Sequence, residues 1–243
     1  MKRDPGNGAF DRRRFMQLGG LSLSAFLAAC GSNGPAWADG LLNFAERKNE
    51  SVERLLLRKG ARDMARRSAK NAGKSFPSYF ISDAVPVWDE SKRGKWMLEV
   101  SGAVKKPVTL SLEDLTKMKG VSQRVNHYCV EGWNAVAEWT GVRLSDLARL
   151  VEPTPDAQYV DFQSFDNDYH ESWDLGTAMH PQTLVAYGMD GQMLGPMHGA
   201  PARLHSPEKL GYKNTKYLTK IVFMPARNGG YWSDQGYEWF GGT

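Results

Sequence analysis

Cys129 is the residue in this chain with the most chemistry open to it. It lies in the run Asn126-His127-Tyr128-Cys129-Val130-Glu131-Gly132-Trp133, and the chain holds one other cysteine, Cys30. Cys30 sits in what reads as an export leader, so after processing Cys129 has no partner for an intramolecular disulfide. In an exported protein an odd cysteine points to a reactive thiol or a metal ligand. The other reading is a buried thiol acting as a small hydrophobe. His127 could serve such a thiol as a base, but residues i and i+2 of a strand share a face without being guaranteed to touch. His127, His170, His180, His198 and His205 are too scattered to suggest a zinc set with Cys129. No G-x-S-x-G elbow, Walker loop or H-E-x-x-H is present in the sequence.

The leader is read from Asp11-Arg12-Arg13-Arg14-Phe15-Met16, which fits a twin-arginine signal with Arg12 and Arg13 as the pair. An apolar, glycine-rich stretch follows over residues 18–29, too short and too interrupted to span a membrane permanently. Twin-arginine export moves folded proteins and suits a chain that takes up a cofactor before it crosses. Leu27-Ala28-Ala29-Cys30-Gly31 fits a lipobox, which would tether the mature N-terminus to a membrane through Cys30. Ala36-Trp37-Ala38 before Asp39 fits an ordinary signal-peptidase site. The expectation is a leader over residues 1–38 and a periplasmic or cell-envelope location.

Charge narrows the partners. The whole chain carries 31 basic and 27 acidic side chains, but from Cys30 onward the count is 26 against 25. The basic balance belongs mostly to the leader and does not argue for nucleic acid. Residues 41–74 carry ten basic and four acidic groups, and residues 75–243 carry 16 and 20. The segment 39–74 reads as a basic helix from the spacing of Leu42, Ala45, Val52, Leu55, Leu56 and Met64. Its cations are read as a solvated helix face, with an anionic lipid or acidic partner as the alternative.

From residue 75 aromatics, glycine and proline become frequent, and the globular domain is placed there, over 75–243. Residues 96–101 alternate as a strand, and 108–110 continue it after a turn at Lys106-Pro107. Ser111 is the N-cap of a short helix, and Ser145 is read as the cap of another that ends before Pro153. Residues 123–130 read as a strand leading into Cys129, and 158–165 as a half-buried strand. Asp190-Gly191 is a hairpin turn between 184–187 and 192–194, and 216–224 is a further strand. Asp168, Tyr169 and His170 read as a polar surface loop, with the mouth of a pocket as the alternative. Short strands mixed with short helices, without regular βαβ spacing, predict an α+β fold and argue against a Rossmann fold.

Three blocks in order carry a resemblance. They are Tyr128-Cys129-Val130-Glu131-Gly132-Trp133 with Trp139-Thr140-Gly141-Val142-Arg143-Leu144, then Ala178-Met179-His180-Pro181-Gln182-Thr183-Leu184, then Gly199-Ala200-Pro201-Ala202-Arg203-Leu204 with Gly211-Tyr212-Lys213. Together they resemble the sulfite oxidase superfamily of molybdenum enzymes, and within it the branch of the periplasmic methionine-sulfoxide reductases. The resemblance spans about residues 96–224. It implies the sulfite oxidase-type molybdopterin-binding fold and a molybdenum-molybdopterin cofactor. Cys129 would supply the thiolate on the metal, whose other sulfurs come from the pterin dithiolene; a soft thiolate suits this metal. Ser164 falls where the family has a pterin-contacting Thr, and His198 where the reductase branch has Asn. Arg203 would hold the pterin phosphate as a charged fork, with Gly211, Tyr212 and Lys213 around it and Lys213 as a point charge.

The resemblance further implies oxygen-atom or electron transfer on a small, sulfur-containing substrate. With no haem domain like that of animal sulfite oxidase, it implies an external electron-transfer partner such as a cytochrome. No residue before Trp96 is matched to the family's N-terminal pterin contacts. Two rivals stand beside it: a cofactor-free binding protein that retains the fold, and a thiol hydrolase using Cys129 and His127.

Overall fold

In the computed structural model, the described residues are Leu41, Phe44, Ala45, Lys48, Asn49, Ser51, Val52 and Leu55, all helical, and residues 76–243. The twin-arginine signal, both processing sites and most of the basic segment lie outside the described residues.

The domain is α+β, built on two sheets. The first has the order β2-β1-β10-β5-β6, with β1 Met97–Gly102, β2 Val108–Ser111, β5 Tyr159–Ser164, β6 His170–Asp174 and β10 Leu218–Met224. Only β1 and β10 run parallel; its other pairs are antiparallel. The second has the order β3-β4-β7-β8, with β3 Val121–Tyr128, β4 Asn134–Arg143, β7 Leu184–Met189 and β8 Gln192–Met193, and β9 Arg203–His205 pairs with β7.

Alternation explains the sheets. Leu98 and Val100 point inward from β1 while their neighbours are partly exposed. β7 is buried on both faces, so Val185 and Tyr187 join the main core and Leu184 and Ala186 a smaller one. The main core packs Leu98, Val100, Phe162, Trp173, Ile221 and Phe223 under the helix Leu144–Val151. That helix buries Leu144, Leu147, Ala148 and Val151, the i, i+3, i+4, i+7 stripe of an amphipathic helix. The smaller core gathers Val125, Ala137, Trp139 and Leu194 with Phe76.

Local signals mostly act as read. Ser111 closes a capping box with Asp114 at the start of the helix Leu112–Lys117. Asp190 and Gly191, at φ 50° and 79°, turn β7 into β8. Three expectations change. Ser145 lies inside its helix, which starts directly from β4; the Leu144 N–H is satisfied by the Thr183 carbonyl at 3.0 Å, so no side-chain cap forms. The strand before Cys129 ends at Tyr128, because the chain reverses there into β4. The stretch 168–170 is not one surface loop: Asp168 is exposed, Tyr169 is drawn inward, and His170 begins β6 against β5.

Candidate active site

β3 and β4 form a hairpin whose tip is residues 129–133. The Cys129 N–H donates to the Trp133 carbonyl at 2.9 Å, and the Gly132 N–H to the Cys129 carbonyl at 3.0 Å. The thiol is thus carried on a short, hydrogen-bonded tip and is half-buried. Glu131 Oε2 lies 4.0 Å from Sγ and accepts from Trp133 Nε1 at 3.0 Å. Burial, and after it the Glu131 charge, push the thiol above its ordinary value. Such a thiol is a weak free nucleophile.

Cys129 faces a cavity of about 330 Å³, a size suited to a small molecule. Ser164, His198, Arg203, Gly211 and Tyr212 line the same cavity. They arrive from the end of β5, the 3₁₀ turn Pro196–His198, β9 and the 3₁₀ turn Gly211–Lys213. Residues far apart in sequence and on both sheets therefore converge here. Among the described residues no cluster of three His, Cys, Asp or Glu side chains is arranged to hold a metal. A metal bound through Cys129 would have to bring most of its ligands with it.

Two cations, Arg203 and Lys216, and two carboxylates, Glu131 and Asp166, line the cavity. Arg203 is buried, and its guanidinium donates only to carbonyls: Nη1 to His198 at 3.0 Å, Nε to Leu204 at 3.3 Å and Nη2 to Asn214 at 3.4 Å. It also lies over the Trp139 ring at 4.7 Å. Among the described residues no carboxylate pairs with it, and burial pulls even this guanidinium down to about 10. Beside it is Lys216, which also lines the cavity and donates to the Met197 carbonyl at 3.3 Å. Gly199 lets the two approach: a Cβ there would lie 2.9 Å from Lys216 Cβ and 3.2 Å from Arg203 Cβ. Burial, and then Arg203, bring the Lys216 ammonium down to about 7. Asp166 is near, but its oxygens accept from the Ile81 and Ser82 N–H groups at 2.9 and 3.0 Å.

Lys213 is not among the cavity residues. Its side chain is fully buried in an ion pair with Glu171, which also accepts from the Trp232 N–H at 3.0 Å. The lysine that reaches the cavity from this segment is Lys216. Spacing in Gly211-Tyr212-Lys213-Asn214-Thr215-Lys216 does not distinguish the two. Of the stretch 168–170, read as a surface loop with a pocket mouth as the alternative, Tyr169 lines the cavity, and its hydroxyl donates to the Tyr212 carbonyl. Ser164 Oγ accepts from the Asp166 N–H at 2.9 Å, which leaves its own proton free to donate.

Three histidines at or next to the cavity, His127, His198 and His205, are held neutral. His127 is pushed down to about 3 by burial and then by Arg203, and His198 is lowered for the same two reasons. His205 is fully buried, both ring nitrogens lack a hydrogen-bond partner, and it stacks on Trp139 at 4.4 Å and on His127 at 5.5 Å. Among the described residues no hydrogen bond joins Cys129 to His127. An imidazole with so low a pKa is a poor base for a thiol whose own pKa is raised, which counts against the hydrolase reading.

Comparisons with known proteins place the chain in a family. Residues 83–232 match the family described as "Oxidoreductase molybdopterin binding domain". The chain is 38% identical over 232 residues to the "Putative protein-methionine-sulfoxide reductase subunit YedZ1" of Azospira oryzae, covering 95% of this chain and 86% of that protein. It is 38% identical over 144 residues to the protein-methionine-sulfoxide reductase catalytic subunit MsrP of Ralstonia nicotianae, covering 53% of this chain and 44% of the relative. The MsrP of Campylobacter jejuni is 35% identical over 154 residues, 56% of this chain and 52% of its own. The match thus spans about half the length of these two MsrP relatives. Among solved structures, the sulfane dehydrogenase SoxCD of Paracoccus pantotrophus is similar in fold, with a TM-score of 0.54 at 20% identity, covering 58% of this chain and 40% of that chain.

Proposed function

The chain belongs to the oxidoreductase molybdopterin-binding family and is a molybdopterin-dependent oxidoreductase of sulfite oxidase type, and we propose that it is an exported enzyme exchanging an oxygen atom with a small, sulfur-containing substrate of the sulfoxide class. The sulfoxide class follows the names of the relatives, which are protein-methionine-sulfoxide reductase subunits, the first of them named "Putative". Electrons come from an external redox partner such as a cytochrome. The twin-arginine run at Arg12 and Arg13 supports export, and the lipobox ending at Cys30 supports a tether at the membrane face.

One observation carries the reading: a single soft thiol and a buried guanidinium that no carboxylate among the described residues pairs face the same cavity. The residues present fit a group that carries its own metal-chelating sulfurs and a negatively charged tail. When bound, the cofactor supplies the redox chemistry. Cys129 is the protein thiolate on the metal. Arg203 holds the anionic end with a planar fork that no protein carboxylate occupies. The Ser164 hydroxyl donates to the pterin. Gly211 and Tyr212 form the wall against which the cofactor lies, and neutral His198 offers a hydrogen bond rather than a charge. In this reading Lys213 acts through its pair with Glu171, behind that wall.

The test is molybdenum per chain in protein matured in a host that makes molybdopterin, beside Cys129→Ser. The expected result is about one metal per wild-type chain and close to none in the variant. Reduction of methionine sulfoxide and oxidation of sulfite, each with an artificial dye, then decide the direction. A metal-free wild type, or a Cys129→Ser protein with full metal content, would overturn the assignment. Redox activity is expected to vanish in Cys129→Ser while far-UV circular dichroism is unchanged, since a half-buried thiol at a hairpin tip contributes little to the core.

A further inference from the structure

We propose that Tyr79, Trp133 and Glu131 form a seat for a cation on the lip of the cavity, and that it selects sulfoxides lying beside a lysine or arginine side chain. The inference rests on the sulfoxide reading above and names the members of that class that the site takes first.

The three residues meet at the hairpin tip that carries Cys129. Tyr79 and Trp133 line the cavity with their rings stacked, 6.0 Å between centroids and 25° between planes. Phe76 backs the indole edge-on, at 6.4 Å and 85°, so the stack is held from inside. Tyr79 is 58% exposed, which leaves much of its ring open to a ligand. Glu131 is exposed as well, and its Oε2 accepts from Trp133 Nε1 at 3.0 Å. Desolvation and then the Glu131 charge push the Tyr79 hydroxyl up, so the carboxylate lies against the phenol too. Among the described residues no lysine or arginine pairs with Glu131.

The other charges of the cavity are engaged elsewhere. Asp166 accepts from the N–H groups of Ile81 and Ser82, Lys216 donates to the Met197 carbonyl, and Arg203 in the reading above holds the cofactor. Glu131 is therefore the charge that a substrate meets at the lip. An ammonium or guanidinium is attracted by the ring faces and by the carboxylate at once, and a guanidinium can lie flat on the stack while donating to Glu131. A carboxylate in the same place is repelled, so the lip discriminates by rejection as well as by attraction. Residues 75–243 carry 16 basic and 20 acidic groups, so the wider field has the same sign. Glu131 Oε2 lies 4.0 Å from Cys129 Sγ. Successive Cα atoms of a peptide are about 3.8 Å apart, so a side chain next to a sulfoxide at Cys129 reaches the lip.

The experiment is the reduction of three short peptides that differ only in the residue before methionine sulfoxide: lysine, glutamine or glutamate. The full, cofactor-loaded chain is used, with a reduced viologen dye as electron donor. In each peptide two electrons and two protons break the S–O bond and give the thioether and water. KM should rise at least about tenfold from the lysine to the glutamate peptide, the order expected for an exposed cation–ring contact together with an ion pair, while kcat stays level. High salt should shrink the difference. Tyr79→Leu and Glu131→Gln should each bring the ratio of the two KM values toward one. The ratio is taken within each variant, so a change at the metal centre cancels. Isothermal titration of loaded protein with the unreactive thioether peptides should show the same order without turnover. Peptides reduced with equal KM by wild type, or a ratio that neither substitution moves, would overturn the seat and leave the sulfoxide reading intact. If no sulfoxide is reduced while the lysine thioether binds more tightly than the glutamate one, and loses that advantage in Tyr79→Leu, the sulfoxide reading falls and the seat stands.

Discussion

Lys216 is the side chain whose behaviour depends most on conditions. Its ammonium is brought from an ordinary 10.5 down to about 7 by burial and by Arg203, with Asp166 pulling the other way. Between those values the unfolded chain holds a proton that the folded chain has lost. Stability of the cofactor-free protein should therefore rise with pH across that window. Lys216→Met should flatten much of the rise, leaving a part that belongs to Lys213, also lowered by burial. The neighbouring His127 and His198 do not enter, because their values fall below the window. Urea unfolding at several pH values checks this; a wild-type profile already flat there would mean the ammonium is solvated.

The strand β4 is the element on which the site depends most, since it pairs with both β3 and β7 and anchors the tip bearing Cys129. Its register shifts at Thr140 and Gly141. A Cβ at Gly141 would fall 2.2 Å from the Val185 carbonyl oxygen and 2.6 Å from Ala186 Cα, and backbone atoms of a central strand cannot step aside. Gly141→Ala should therefore lose about 2–3 kcal/mol by overpacking, or prevent folding. A milder effect is expected at the rim: Ser111→Ala removes one capping box and should lose about 1 kcal/mol. Denaturant midpoints compare the two, and a Gly141→Ala protein as stable as Ser111→Ala would show that β4 and β7 do not pack this closely.

The C-terminal stretch closes one side of the cavity. Trp232 and Tyr237 line it, Tyr237 packs on Tyr212 at 5.4 Å, and the Leu210 N–H donates to the Gly241 carbonyl at 2.8 Å. The anchor is the fully buried pair of Lys213 and Glu171, with the Trp232 N–H on the same carboxylate. Glu171→Gln leaves a buried ammonium without its counter-charge and should lose about 3–5 kcal/mol. Replacing both partners, Lys213→Met with Glu171→Leu, should recover much of that loss. Urea unfolding of the single and double variants decides it; equal losses in both would assign the stability to hydrogen bonding of Trp232 and Ser233 rather than to charge. Transport is tested separately: Arg12→Lys with Arg13→Lys should retain the protein in the cytoplasm in a fractionation experiment, and normal export would remove the twin-arginine reading.

Much of this molecule is legible from near neighbours in the chain. Alternating residues show β1, whereas β5, read as half-buried, buries Val160, Asp161 and Phe162 in succession; Ser111 with Asp114 starts a helix, and Asp190-Gly191 supplies the positive φ values of a hairpin. Each of these is a contact within a few residues, so the sequence carries it directly. The odd Cys129 is likewise visible by counting, and the resemblance carried by the three blocks points to Ser164, His198, Arg203, Gly211, Tyr212 and Lys213, all but the last of which line one cavity. What the tertiary structure decided concerns burial, which depends on segments far apart. Lys213 meets Glu171, 42 residues away, and so turns from the cavity, while Lys216 faces it. Tyr169 reaches the Tyr212 carbonyl across 43 residues and is drawn inward, though the residues around it look like a surface loop. Among the described residues Arg203 meets carbonyls and no carboxylate because of what packs around it, and no local pattern records that. Which charges are left to meet a ligand in the cavity follows from those long-range meetings rather than from any motif.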